Sequence, residues 1–295
     1  MGTIDLSWHN SFNIMISSFY NHLELLRPFN VLISALAMII SASILGELLN
    51  LEKLIPVIIT VMCFTGAANA INDFIDFKID QINRPNRPIP SGRVQRKSAL
   101  IISILLFLIG SFFCFKLGKN AIIIGFFVSL PLIVLYSIVF KGLPLIGNVV
   151  TSLILGLSFI FCGFAFDNIS HMIVPALLAF GLTLLREIIK DISDIDGDKL
   201  LGLRTLPIYI GLQGACNLVI LFSIVIFFCS LIPFFKGLYG IWYLIFLIIG
   251  VEIPLMFIVF LLWRKPKISS ASRCEKILKF STLVGLFAIY GGSFK

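Results

Sequence analysis

Apolar stretches of about 18 or more residues recur along the whole of this 295-residue chain, each long enough to cross the hydrocarbon core of a bilayer. The competing explanation, a soluble protein with a very large core, needs polar surface that the composition does not supply. Only 13% of the residues are charged and 59% are hydrophobic, whereas an average globular chain carries about 25% charged residues. With a mean hydropathy of +1.05, the chain reads as an all-α polytopic membrane protein.

Breaks at charged and Pro/Gly-rich segments predict nine transmembrane helices, near 25–47, 54–80, 97–116, 120–140, 144–166, 171–193, 206–234, 238–263 and 275–293. The stretch 8–24 interleaves apolar residues with Ser, Asn and His and suits an amphipathic segment at the membrane interface. One transmembrane domain over 1–295 is expected, with motif-bearing halves at about 25–140 and 144–263, a final helix at 275–293 and a central cavity. With the N-terminus in the cytoplasm, all but five of the 23 Lys and Arg fall on the cytoplasmic side; the five are Lys53, Lys116, Lys119, Lys236 and Lys295. An odd number of spans preserves that alternation. The expected location is the cell membrane, multi-pass, with the N-terminus and the active site facing the cytoplasm.

The net charge of +8 sits in short loops between spans, where topology and lipid account for it, so no nucleic-acid partner is expected. The six cysteines are scattered without a CxxC pair, and five lie in apolar runs, so they read as small core residues. The opening MGTIDLSWHN lacks a basic n-region and a small-residue cleavage site, so the first span is expected to belong to the fold. No obligate protein partner is inferred.

Seven of only 15 acidic residues occupy two short windows. The first reads Asn72-Asp73-Phe74-Ile75-Asp76-Phe77-Lys78-Ile79-Asp80, and the second Lys190-Asp191-Ile192-Ser193-Asp194-Ile195-Asp196-Gly197-Asp198. At about 100° per residue, Asn72, Asp76 and Asp80 share one helix face within roughly 80°, and Asp191, Asp194 and Asp198 within about 60°. Adding 118 to Asp73, Asp76 and Asp80 gives Asp191, Asp194 and Asp198. That match implies an internal repeat in which two helix groups present acidic faces to a shared cavity.

Carboxylates crowded at a membrane border repel one another and resist desolvation. Either some are protonated or divalent cations hold them, and carboxylates with an Asn amide are hard ligands suited to Mg²⁺. Solvated charges at helix ends are the plainer explanation, disfavoured by two copies of one spacing in so acid-poor a chain. Arg84, Arg87 and Arg93 follow the first window; Arg186 and Lys190 border the second, with Lys199 and Arg204 after it. Acids that hold metal beside bases that hold phosphate make a diphosphate site. Topology signalling alone accounts for Arg96, Lys97, Arg264, Lys265 and Lys267.

Asn72-Asp73-x-x-Asp76-x-x-x-Asp80, followed by Arg84-x-x-Arg87-Pro88-x-x-x-Gly92, resembles the first signature of the UbiA superfamily of intramembrane prenyltransferases. Asp191-x-x-Asp194-x-x-x-Asp198 resembles the second. The resemblance covers nearly the whole chain. It implies that Asn72, Asp76 and Asp80 hold one Mg²⁺ and Asp194 and Asp198 another, with Asp73 and Asp191 completing or orienting these shells. It further implies that the ions bridge an isoprenyl diphosphate and that an acceptor oxygen attacks a carbocation-like allylic carbon. Asp73, Asp191 and Asp198 are the catalytic candidates, Asp191 or Asp198 for accepting the hydroxyl proton. Arg84, Arg87 and Lys190 are candidates for the diphosphate, with Lys199 and Arg204 behind them.

Asn83-Arg-Pro-Asn-Arg-Pro-Ile-Pro-Ser-Gly-Arg93, Arg186-Glu-Ile-Ile-Lys-Asp191 and Gly202-Leu-Arg-Thr-Leu-Pro207 are most similar to the superfamily members that make archaeal ether lipids. This implies geranylgeranyl diphosphate as donor and geranylgeranylglyceryl phosphate, a lipid-like prenyl acceptor, as partner substrate. Relatives acting on 4-hydroxybenzoate, a naphthoate, haem or chlorophyllide share the metal motifs, so an aromatic acceptor is the alternative.

Tyr136, Lys141 and Asn148 resemble a family segment near the diphosphate, though Tyr136 alone also fits an interface anchor. Arg27 either binds the acceptor phosphate or marks the inner leaflet. Glu252, deep in a span, has no partner visible in the sequence, and His9, His22 and His171 are too dispersed to be ligands. Two rival classes are weaker. A cation transporter also uses paired acids in repeated helices, but the basic loop here repels cations. A CDP-alcohol phosphotransferase needs one dense Asp-Gly…Ala-Arg…Asp run, which neither window supplies.

Overall fold

The computed structural model describes residues 6–294, with side chains from Ile16 onward. Lys295 and the first five residues lie outside the described residues, as does the side chain of His9. Twelve helices follow one another: α1 (Leu6–Leu26), α2 (Pro28–Ile44), α3 (Leu51–Ile75), α4 (Phe77–Asn83), α5 (Arg96–Cys114), α6 (Lys119–Phe140), α7 (Ile146–Ala165), α8 (Ile173–Ser193), α9 (Ile195–Leu200), α10 (Leu206–Phe235), α11 (Ile241–Arg264) and α12 (Ile268–Ser293). No strand occurs among the described residues.

Seven of these segments are long and apolar enough to cross a membrane, and the pair Ile16–Leu26 with Pro28–Ile44, bent by 55°, makes an eighth. The ninth expected span corresponds to α12. It has the length, but Arg273, Glu275, Lys276 and Lys279 crowd its first three turns and leave too short a charge-free run.

The predicted helix 54–80 is two helices, because the chain turns at Asp76 (φ −78°, ψ 5°) before α4 begins. The sixth span ends the same way at Asp194 (φ −96°, ψ 3°), and α9 follows it. The backbone bonding also corresponds: Asp76 N–H donates to Asn72 O and Asp80 N–H to Asp76 O, while Asp194 N–H donates to Lys190 O and Asp198 N–H to Asp194 O. The 118-residue sequence repeat is therefore a repeat of backbone shape. Each acidic window bends at its middle Asp instead of running as one straight face.

Two large apolar cores hold the bundle, beside a smaller one of Leu25, Ala70, Ile89 and Ala99. One gathers Leu185, Ile188 and Ile189 of α8 with Val219 of α10, Tyr243, Leu255 and Ile258 of α11 and Leu278 of α12. The other gathers Met38 of α2, Val57 of α3, Phe159 and Cys162 of α7, and Met172. Two π-helical turns directly precede prolines: Ile123–Ser129 before Pro131 in α6, and Ile248–Glu252 before Pro254 in α11. Proline lacks the N–H that would close the helix turn, and its ring crowds the carbonyl four residues back. Widening the preceding turn removes that collision.

Candidate active site

α3, α4, α8 and α9 bring the two acidic windows together. α4 and α9 touch so closely that a Cβ at Gly197 would fall 1.7 Å from Asn83 Oδ1. Between them lies a small polar chamber of about 80 Å³, lined by Asn72, Asp76, Asp80, Asp191, Asp194 and Asp198 together with Arg27, Arg84, Arg87, Tyr136, Lys141, Asn148 and Lys190. Thirteen of the sixteen residues singled out in the sequence therefore face one space.

Three do not line it. Asp73 is 3% exposed and is taken up by cations: Arg27 Nη2 at 2.5 Å and Arg87 Nη1 at 3.1 Å, both on its Oδ1. It holds two arginines in place instead of facing the chamber. Lys199 and Arg204 are exposed and line neither this chamber nor the larger one described below. The turn at Asp194 and the short α9 carry the chain outward, so closeness in sequence to Asp198 does not bring these two bases into the site.

Every acid in the chamber has a partner from the chain, and that of Asp198 is the neighbouring Thr205 side chain. Arg87 Nη1 donates to Asp80 Oδ2 at 2.6 Å, Arg84 Nη2 to Asp194 Oδ2 at 3.0 Å, and Asn148 Nδ2 to Asp191 Oδ2 at 2.8 Å. Lys141 Nζ pairs with Asp76 Oδ2, and Ser137 donates to Asn72 Oδ1 at 2.5 Å. Burial pushes the Asp80 carboxyl up against the pull of Arg87. Burial, with Asp194 adding to it, pushes Asp198 up to about 6. Burial also works against the Arg84 charge, but Asp194, Glu275 and Asp80 around it raise its pKa above the ordinary value.

Arg27 enters the site through the bend between α1 and α2, where it has φ 53° and ψ 71°. The following Pro28 bars the helical conformation at this residue, and the chain accommodates the left-handed turn by anchoring it. Arg27 Nη1 donates to Asn69 Oδ1 at 3.2 Å, and Asn69 Nδ2 returns a bond to Leu26 O at 2.9 Å.

Glu187 falls outside both acidic windows of the sequence. This carboxylate is 5% exposed, accepts from Arg186 Nη2 at 2.9 Å and Lys190 Nζ at 3.1 Å, and lines the chamber. Its spacing to Lys190, three residues along one helix, was the available signal. Glu252 also gains a partner, since Ser230 Oγ donates to its Oε1 at 2.5 Å, and Tyr243 donates to Ser230 O at 2.6 Å.

A larger cavity of about 480 Å³ opens alongside, lined by Arg27, Asn72, Arg84, Arg87, Tyr136, Glu187 and Lys190 where it meets the polar chamber. Its far walls are apolar: Val61, Phe64, Phe159, Leu182, Leu247, Val251 and Leu286. Phe64, Phe159 and Phe161 are three of the 29 phenylalanines that the sequence alone could not place.

Two oxygen acceptors in the polar chamber, Asp76 Oδ1 and Asn148 Oδ1, are buried without a hydrogen-bond partner. A buried acceptor left unpaired costs about 1–3 kcal/mol, and both are hard oxygen donors of the kind divalent cations take. Among the described residues no three His, Cys, Asp or Glu side chains are grouped as ligands for one ion. An ion here would therefore draw part of its shell from Asn, water or phosphate oxygens. The residues fit a hard divalent cation on those terms.

An apolar chamber joined through a wall of arginines to a carboxylate chamber, in a helical bundle, defines an enzyme that works on a long apolar substrate with an anionic head. Residues 31–283 match the UbiA prenyltransferase family, and the chain belongs to it. It is a multi-pass membrane enzyme of prenyl transfer, and membership of this family sets the cation-transport reading aside. The chain is 34% identical to digeranylgeranylglyceryl phosphate synthase of Methanosphaera stadtmanae over 282 residues, covering 92% of this chain and 98% of that one. It is 36% identical to the synthase of the same name from Methanosarcina mazei over 289 residues, covering 93% and 99%. A solved structure of digeranylgeranylglyceryl phosphate synthase superposes with a TM-score of 0.75 at 29% identity, covering 94% of this chain and 98% of that one. A UbiA homologue from Archaeoglobus fulgidus bound to GPP and Mg²⁺ shares the fold, with a TM-score of 0.63 at 17% identity over 91% and 99% of the two chains.

Proposed function

We propose that this enzyme transfers a geranylgeranyl group from geranylgeranyl diphosphate to the free hydroxyl of geranylgeranylglyceryl phosphate, in a Mg²⁺-dependent reaction that forms the second ether bond of an archaeal lipid. The observation that carries the reading is the wall common to the two chambers, where Asn72, Arg84, Arg87, Tyr136 and Lys190 face both. A diphosphate at that wall has carboxylates on one side and an apolar channel for its chain on the other. Similarity to synthases of this name along nearly the whole length supports the choice of acceptor.

Asn72, Asp76 and Asp80 would hold one Mg²⁺, and Asp194 and Asp198 a second. Bound there, the ions would neutralise the diphosphate and make it a better leaving group. Arg84, Arg87 and Lys190 bind the diphosphate oxygens, and Lys141 and Asn148 hold Asp76 and Asp191 in position. In the transfer, the allylic C–O bond breaks as the new C–O bond to the acceptor forms, and the hydroxyl proton passes to a carboxylate, Asp198 or Asp191. Apolar walls exclude bulk water, which would otherwise capture the prenyl group. The acid-bearing end of the bundle faces the cytoplasm, as the Lys and Arg distribution supports.

The test is one incubation of purified protein with Mg²⁺ and geranylgeranyl diphosphate, offered geranylgeranylglyceryl phosphate, 4-hydroxybenzoate or a naphthoate in parallel. EDTA serves as control, and lipids are read by mass spectrometry. A digeranylgeranyl product that EDTA abolishes is expected with the glyceryl phosphate alone. An aromatic product would overturn the acceptor and keep the chemistry.

A further inference from the structure

Six cationic side chains line the large cavity. Arg27, Arg84, Arg87 and Lys190 line both chambers, but Arg186 and Lys279 line only the large one. On α8, Arg186 precedes Lys190 by four residues, so the two lie on one face about 6 Å apart along the axis. The buried Glu187 fixes both, at 2.9 Å and 3.1 Å. Across the cavity, α12 packs on α8 and turns one face inward, bearing Glu275, Lys279, Thr282, Leu286 and Ile289.

Lys279 makes no ion pair among the described residues, and its Nζ stands 5.1 Å from the centroid of the Phe29 ring. The acid one turn away, Glu275, acts on Arg84, whose charge it favours. Lys279 is thus a cation at a cavity wall with no carboxylate bound to it.

We propose that Arg186 and Lys279 form a second anion site, one helix turn inside the large cavity, which takes the phosphomonoester of the acceptor lipid. This rests on the transfer reaction given above. The acceptor hydroxyl is on the carbon next to the one bearing the phosphate, so the two groups cannot be more than a few ångströms apart. A phosphate held by Arg186 and Lys279 leaves the hydroxyl at the level of Lys190 and Tyr136, where the prenyl carbon is delivered. Two anionic substrates in one cavity repel each other, and separate cations, with Glu187 between Arg186 and Lys190, keep their head groups in register. Arg186 suits the role because a guanidinium can engage two phosphate oxygens at once.

The experiment measures binding in EDTA of geranylgeranylglyceryl phosphate and of the corresponding alcohol without phosphate, to wild-type protein and to the Arg186→Gln and Lys279→Gln variants. Steady-state KM values for donor and acceptor are measured beside it. Wild type is expected to prefer the phosphorylated lipid by about ten- to a hundred-fold, the size of one or two hydrogen bonds to a charged group. Each variant should lose most of that preference and raise the acceptor KM while leaving the donor KM within two-fold. Lys279→Gln breaks no ion pair, so it stays informative even where Arg186→Gln disturbs Glu187. Equal binding of the two lipids by wild type, a preference kept in both variants, or a donor KM that rises in step would overturn the second site. Tight, phosphate-dependent binding without any transfer would instead sink the proposed reaction and leave the site standing.

Discussion

Arg84 Nη2 and Asp194 Oδ2 stand 3.0 Å apart although 110 residues separate them in the chain. One follows the first acidic window, and the other is the residue at which the second window bends. Their pairing ties the two repeats across the polar chamber. Both side chains remain partly open to solvent, at 30% and 25%, so the pair contributes modestly to stability while both its members are placed for substrate. Asp194→Asn and Arg84→Gln should each lower kcat/KM by about 10²–10³-fold, the scale for losing one group that stabilises developing charge. The double variant should fall short of the product of the two effects, because the residues share one site. Thermal midpoints in detergent should move little. Activity within a few-fold of wild type in either single variant would remove that residue from the mechanism.

The carboxylates of Asp76, Asp80 and Asp194 are held by Lys141, Arg87 and Arg84. A divalent cation arriving alone must displace these cations with nothing to receive them. A diphosphate arriving alone meets the same carboxylates as repulsion. Metal and donor should therefore bind synergistically, each raising the affinity of the other by the same factor, as linkage requires. Isothermal titration of Mg²⁺ with and without a non-hydrolysable geranylgeranyl diphosphate analogue should give a coupling of at least ten-fold. Equal Mg²⁺ affinity in both titrations would show that the chain's own cations do not compete for the acids.

Much of this site is legible before folding because it depends on residue type and spacing. The two acidic windows, their offset of 118 and the Arg84–Arg87 pair are written in the chain, and of these acids and arginines all except Asp73 and the exposed Asp196 line one chamber. What is not legible depends on where the backbone turns. A helix drawn straight through Asp76 or Asp194 puts the acids on one face, whereas the break at each Asp swings Asp80 and Asp198 towards the opposite repeat. The same break carries Lys199 and Arg204 out of the site. Glu187 was hidden among basic neighbours, since composition at that point suggested a phosphate grip and gave no reason to look for what orients it. Arg27 had one clue, the proline after it, which forbids a straight helix there without saying where the side chain goes.

Orientation can be tested on the native fold by labelling. Lys97 and Lys119 are both exposed, and they sit near the start of α5 and the start of α6, with the length of α5 between them. In a Cys229→Ser background, which removes the one exposed native thiol, Lys97→Cys and Lys119→Cys should react oppositely with a membrane-impermeant maleimide. In right-side-out vesicles Lys119→Cys should label and Lys97→Cys should not, and inverted vesicles should reverse the pattern. Labelling of Lys97→Cys from outside would place the acidic chamber on the outer face.

Gly197 is the contact on which the meeting of the two short helices depends. It is in α9, beside Asp198, and its missing side chain leaves room for Asn83 at the end of α4. A Cβ there would fall 1.7 Å from Asn83 Oδ1 and 2.5 Å from its Nδ2, so the helices must separate or Asn83 must leave. Alanine in place of a helical glycine gains up to about 1 kcal/mol of helix propensity, while overpacking of this kind costs about 1–3 kcal/mol. The collision should win, and Gly197→Ala should lower the thermal midpoint. Because α4 carries Asp80 and α9 carries Asp198, it should also raise the Mg²⁺ concentration needed for half-maximal transfer. Asn83→Ala removes the atoms in the way, so the double variant Asn83→Ala/Gly197→Ala should recover the midpoint and most of the Mg²⁺ response. If Gly197→Ala alone behaves as wild type, α4 and α9 do not approach this closely in the working enzyme. If the double variant is no better than the single, the damage comes from α9 itself and not from its contact with α4.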